Sequence, residues 1–326
     1  MAYQTGTALD PADLLDKLRV FAAANGWTIN NYGDRTTGTA PRKALQVTKA
    51  GMAGSFLSDS AAGTTSNPGP YILTYAHDAY VAGNGTENQA NGNSKTQSNA
   101  LPGPYQAYHF FTDNGDTPPY LCVVVETASG TFKHFGIGKL ESMGALNTGA
   151  FAYGCNWNYS TSSSPPYLSQ QDYGGHAVPF DCTTTSSYNN LGTAIRADSD
   201  GITPHWFYDY SSTTNLQMSG GVRGASEPST SAIPIPMLYG IMTTGASSRT
   251  GRTILEPCLV AGARPSGQFS MLGWPPNIRW LDMKYLDPGA TLTLGTDTWK
   301  VFPVIRKNGT TGQPNSARYG YAYKVN

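Results

Sequence analysis

Charge is what this chain has least of. Its 326 residues include 21 Lys plus Arg and 21 Asp plus Glu, a charged fraction of 13%, against roughly 25% in ordinary globular proteins. The even balance excludes the basic footprint that nucleic-acid binding requires. It also excludes the usual recipe for disorder, in which low hydrophobicity goes with high net charge. Long apolar runs are missing too: no stretch approaches the ~18 residues that would span a bilayer. The opening segment MAYQTGTALD has neither a basic nor an apolar region, so neither membrane insertion nor a signal peptide is expected. Cysteine is sparse. Cys122, Cys155, Cys182 and Cys258 form no CxxC pair and have no His repeat nearby, which argues against zinc. Cys122 in YLCVVVE and Cys258 in LEPCLVAG read as small core residues. Folding in the cytosol is expected, where disulfides rarely form.

Catalytic motifs are missing as well. His77 with Asp78, His109, and His134, His176 and His205 with Asp172 or Asp181 are the only metal-type combinations. None has a His partner at i+2 or i+4, and HxH and HExxH do not occur. Asp209 stands between Tyr208 and Tyr210 near Trp206, an acid framed by aromatics as in a glycan-processing cleft. Asp198 and Asp200 lie in RADSDG, which reads equally well as a turn closed by side-chain caps. Gly245-Ala246-Ser247 makes no GxSxG elbow, and no phosphate-binding Gly loop is present. The sequence nominates no catalytic, cofactor-binding or metal-ligating residue, and no cofactor. The expectation is a protein that is not an enzyme.

What the chain does have is 37 Gly, 22 Pro and 20 Tyr, with a polar surface made of Ser, Thr, Asn, Gln and Tyr. Such a surface is easier to bury against a neighbour than an ionic one, because no charge loses its water. One helix is signalled. Asp10 caps it, Pro11 and Asp13 suit its first turn, Leu14, Leu15, Leu18, Phe21 and Ala22 form one stripe, and Asn25-Gly26 stops it. Trp27-Thr28-Ile29 reads as the first strand. Further strands are expected at 71–75, 107–111, 120–126, 132–140, 279–285, 291–294 and 298–305, with a hairpin through Thr127 to Gly130. In RYGYAYKV, Tyr319, Tyr321, Tyr323 and Val325 share one face of a strand. Long low-charge loops separate these runs at 58–70, 82–104, 160–172, 183–190 and 211–231, and residues 84–100 show no periodicity at all. The loop aromatics Trp157, Tyr159, Tyr167, Tyr173 and Tyr188 suit sugar stacking and protein contact alike. The expected fold is mainly β: a β-sandwich-like body with long loops and one N-terminal amphipathic helix. It forms a single domain over 1–326, with room for a loop-rich subsidiary lobe at about 145–255.

Four segments carry a resemblance. They are LLDKLRVFAAANGW at 14–27, FKHFGIGKLESMGALNTGAFAYG at 132–154, HAVPF at 176–180, and LEPCLVAGARPSGQFSMLGWPPNIRWLDMKYLDPGATLTLGTDTWKVFPVIRKN at 255–308, followed by RYGYAYKV. Together they resemble structural proteins of tailed-bacteriophage virions. Asn147-Thr148 departs from that pattern, where glycine is common. The resemblance implies a non-enzymatic subunit of a symmetric ring in the tail tip or baseplate, with the neck or connector next and a capsid accessory role third. Its implied partners are copies of itself and neighbouring virion proteins, namely tail tube, baseplate or portal-side adaptors. The implied location is the virion tail, after folding in the host cytoplasm. A host-surface glycan, held by the loops between 145 and 231, is the alternative partner.

Overall fold

The computed structural model describes residues 1–35, 42–60, 63–64, 67–93, 96–98, 101–115, 117–143, 148–155, 180, 193–197, 204–208, 216–218, 253–264, 268–304 and 319–326. It is a mainly-β protein with several antiparallel sheets and, among the described residues, one α-helix.

The run YLCVVVE explains the layering. A strand apolar at every position has both faces covered. In the strand Tyr120–Ala128, Tyr120, Cys122 and Val124 enter one core while Leu121, Val123 and Val125 enter another. This strand lies within a seven-stranded central sheet of order Ala2–Ala8, Tyr105–Thr112, Tyr120–Ala128, Thr131–Lys139, Thr148–Tyr153, Thr193–Ala197 and His205–Tyr208. The expected hairpin joins Tyr120–Ala128 to Thr131–Lys139, with Gly130 left-handed at φ 71°.

The helix and a second sheet cover one face. The helix, Pro11–Ala24, begins as its sequence dictates: Asp13 N donates to Asp10 Oδ1 at 2.9 Å, and Leu9 N to Asp13 Oδ2 at 2.8 Å. Leu14, Leu15, Leu18, Phe21 and Ala22 are buried as expected. The second sheet runs Thr28–Asp34, Arg42–Lys49, Met52–Asp59, Tyr71–His77, Thr96–Ser98. Leu45, Val47, Phe56, Ile72 and Ala76 from it meet the same core as the helix stripe.

A C-terminal sheet covers the other face, in the order Glu256–Pro257, Ile278–Asp282, Tyr319–Lys324, Asp297–Pro303, Thr291–Leu294. The period-two reading of RYGYAYKV holds at Tyr321, Tyr323 and Val325, which face the central sheet with Trp280 and Phe302, while the Tyr319 side chain lies outside what is described. Ala322 faces away, with Leu281, Val301 and Trp299. A smaller sheet of Glu141–Ser142, Gln268–Trp274, Val260–Arg264 and Leu216–Met218 completes the main pairings.

Several expectations need correcting. The first strand is Ala2–Ala8, ahead of the helix, and it forms an edge of the central sheet. Arg42–Lys49 and Met52–Asp59 are strands the sequence did not announce. The strand expected at 279–285 ends at Asp282. Within 84–100, Thr86–Asn88 forms a 3-10 turn and Thr96–Ser98 a strand. The stretch before it is stitched by its own side chains: Gln89 Oε1 accepts from Val81 N at 2.6 Å, and Asn93 Oδ1 from Ala76 N at 2.6 Å. The described strands within 145–255 continue the central and the smaller sheets.

Close approach of layers shows at Gly54. A Cβ built there would lie 2.3 Å from Ile137 Cδ1 and 3.1 Å from Tyr75 O. Gly54→Val is expected to lower unfolding free energy by about 2–3 kcal/mol, because an added branched side chain must push two packed sheets apart. Urea titration of the purified chain checks this, and an unchanged midpoint would contradict the packing described.

Candidate functional site

Three of the five histidines have described side chains: His77 and His134 are buried and His109 is half-buried, and each is bonded within the fold. His134 projects from the central sheet toward the C-terminal sheet. Its Nε2 lies 2.9 Å from Pro303 O and its Nδ1 3.0 Å from Tyr323 OH. A carbonyl only accepts, so Nε2 carries the proton and Nδ1 accepts from the tyrosine. Burial drives the His134 pKa down to about 3, with Lys133 and His109 adding to the fall. His109 Nδ1 lies 2.9 Å from Tyr3 OH; burial and Lys300 lower its pKa to about 4. His77 Nε2 lies 2.8 Å from Ser55 Oγ, and burial lowers its pKa to about 4 against the opposing pull of Asp78. Among the described residues no cluster of three or more His, Cys, Asp or Glu side chains has metal-holding geometry. His205 pairs through its backbone with Ala197; His176, Asp172 and Asp181 lie outside the described residues.

The thiols of Cys122, Cys155 and Cys258 are free and buried, as the apolar contexts of Cys122 and Cys258 suggested. Burial raises the pKa of each, that of Cys122 to about 12, which suppresses the nucleophilic thiolate. Cys182 lies outside the described residues.

Two deeply buried carboxylates, Asp59 and Asp113, come with cations. Arg42, Asp59 and Tyr71 stand directly opposite one another on three neighbouring strands. Arg42 Nη2 is 2.6 Å from Asp59 Oδ2, and Tyr71 OH donates to the same oxygen at 2.6 Å. Burial and that bond raise the Tyr71 pKa to about 12. Asp113 binds Lys49 at 2.9 Å, and the same ammonium donates to Asn25 O at 2.9 Å. Lys49 thereby ties the end of the helix to the central sheet. Truncating one partner of such a pair leaves the other charge buried and unpaired. The first group fastens three strands of one sheet, and the second fastens that sheet to the central one. Asp198, Asp200, Asp209, Tyr210 and Gly245 to Ser247 lie outside the described residues, as do Trp157, Tyr159, Tyr167, Tyr173 and Tyr188.

The features that stand out on the surface are sheet edges. Ala2–Ala8 ends the central sheet and Thr291–Leu294 ends the C-terminal sheet. Neither strand contains a charged residue or a proline, and the irregularity in Ala2–Ala8 is confined to its end, where the register shifts between Gly6 and Ala8. Gln4, Thr5 and Thr7 are exposed on the first, and Thr291, Thr293 and Leu294 on the second, with Leu294 at 53% exposure. Proteins that stay apart usually blunt such edges with Lys, Pro or bulges. The opposite edge of the C-terminal sheet is blunted in that way, by Glu256 and Pro257. Sequence reasoning missed Ala2–Ala8 as an edge and drew no consequence from the uncharged strand at 291–294; lack of charge was the readable signal.

A scan against protein-family models finds no match for this chain, and a search of curated proteins finds no relative.

Proposed function

We propose that the protein is a non-enzymatic structural subunit of a tailed-phage virion, closing with copies of itself into a symmetric ring in the tail tip or baseplate. The observation that carries this reading is the pair of uncharged, exposed sheet edges, Ala2–Ala8 and Thr291–Leu294. They belong to different sheets, so pairing one with the other between copies is heterologous, and a heterologous contact that closes gives a ring. A charge-poor surface removes the desolvation cost of ionic groups at such contacts, and many modest contacts give high avidity. In this reading the body is a β-sandwich-like block whose remaining loops meet neighbouring virion proteins. The protein folds in the host cytoplasm and resides in the tail.

The test is to locate the protein in purified particles by quantitative mass spectrometry and electron microscopy. The expected result is a fixed copy number, of about three, six or twelve, at one symmetric position in the tail. Consistent absence from purified particles overturns the reading, and a position at the neck or on the capsid overturns the placement.

A further inference from the structure

Beside the C-terminal end of the helix lies an open cleft of about 470 Å3, within the ~300–1,000 Å3 usual for small-ligand sites. Its floor is the turn between Arg42–Lys49 and Met52–Asp59, where Ala50 and Gly51 are both left-handed, at φ 45° and 72°. One wall is the strand Thr28–Asp34. There Ile29 pairs with Val47 and Asn31 with Gln46, so Asn30 is the extra residue of a β-bulge. Bulges re-aim side chains: Ile29 packs on the core, while Thr28 and Asn30 line the cleft. Thr48, opposite Thr28 in register, adds a second hydroxyl. The other wall is Asp78 to Tyr80. It is held in place by Asp78 N donating to Ala90 O at 3.2 Å and by the bridge between Ala79 and Ala90.

Both charges in this lining are already matched. The Lys49 ammonium is taken up by Asp113 and Asn25 O. The Asp78 carboxylate binds Arg196 at 2.6 Å and accepts from Asn91 Nδ2 at 2.9 Å. A cation entering the cleft would give up water without meeting a free counter-charge, and an anion would meet only the half-exposed Lys139 ammonium beside Gly51, so either loses hydration for little return. A neutral ligand has no such cost. Two hydroxyls, an amide and a tyrosine ring suit a molecule with a polar rim and an apolar CH face. Asn30 Oδ1 is shielded from water and has no hydrogen-bond partner. Turning that amide toward a ligand hydroxyl breaks no bond to the oxygen and gives a buried acceptor its donor.

We propose that this cleft binds a neutral, polyhydroxylated ligand of about one or two sugar rings, with Tyr80 as its platform and Thr28, Thr48 and Asn30 as its hydrogen-bonding rim. No residue of the ring-forming edges lines the site. The experiment is saturation-transfer NMR on the full chain with maltose, cellobiose, lactose and chitobiose, and with glucuronate and glucosamine as charged controls. Transfer to at least one neutral disaccharide is expected. Affinity should fall at least about fivefold in Tyr80→Ala and in Asn30→Ala, and persist in Tyr80→Phe. If either alanine variant fails to fold, Thr28→Val, at an exposed position, takes its place and should weaken binding in the same way. No transfer to any of the four neutral sugars overturns the proposal. So does binding that survives the losses of ring and rim, or preference for either charged sugar.

Discussion

Acidification from pH 7 to pH 4 is expected to unfold this protein, and two buried histidines and one half-buried one are the cause. His77, His109 and His134 have folded-state pKa values near 4, 4 and 3 because burial disfavours the imidazolium. Their unfolded value is about 6.5. A base whose folded pKa lies below its unfolded pKa binds more protons in the unfolded chain at any pH between the two. Stability is therefore fully present above pH 6.5 and is lost as pH falls toward the folded values. Each group contributes a slope of about 1.4 kcal/mol per pH unit in that window. Three together give roughly 4 kcal/mol per unit, and by pH 4 the loss has an upper limit near 10 kcal/mol. Even half of that matches the whole stability of a typical domain, about 5–15 kcal/mol. Circular dichroism across pH 7 to 3 should show a cooperative transition centred between about pH 4 and 5.5. His134→Gln keeps a donor for Pro303 O and an acceptor for Tyr323 but cannot take up the proton, so its midpoint should move to lower pH. A native signal at pH 3.5, or no shift in the glutamine variant, would show that the imidazoles are solvated in the folded chain.

How far the fold could be read from the sequence depended on whether a strand's partners demanded bulk or closeness. Tyr120–Ala128 and Tyr319–Lys324 were legible because each fills its core with large apolar or aromatic side chains at fixed spacing. Met52–Asp59 was not, although all eight of its residues are buried. Its sequence, MAGSFLSD, looks like a loop because three positions answer to partners far along the chain. Gly54 is small to admit Ile137, Ser55 binds His77, and Asp59 binds Arg42 and Tyr71. Tertiary pairing overrode local propensity there. The stretch from 84 to 93 was illegible for a related reason: its order comes from single amide side chains, Gln89 and Asn93, capping backbone groups, and that leaves no periodicity. Asn30 belongs with them. Its role depends on a bulge that only pairing with Arg42–Lys49 creates.

The free edges lead to the other large effect. If Ala2–Ala8 of one copy lies beside Thr291–Leu294 of the next, a lysine on either strand should exclude the subunit from the ring. Thr7 and Thr293 are the positions to use, because both are exposed and their replacement removes no core contact. A lysine at a closed strand interface must be desolvated without a partner, a cost of several kcal/mol at each contact. A ring repeats that cost at every junction. Thr7→Lys and Thr293→Lys should each reduce incorporation into particles at least about tenfold, since 1.4 kcal/mol already corresponds to that factor. The isolated subunits should melt within about 2 °C of the parent, as surface substitutions usually cost under 0.5 kcal/mol. The double variant Thr7→Lys with Thr293→Glu separates edge pairing from general surface effects. Opposite charges brought face to face restore part of the incorporation only when the two edges meet, whereas pairing of like edges would set lysine against lysine and glutamate against glutamate, which is repulsive. Incorporation of both lysine variants at the parent level would remove the edges from the assembly altogether, and the uncharged strands would then need another explanation.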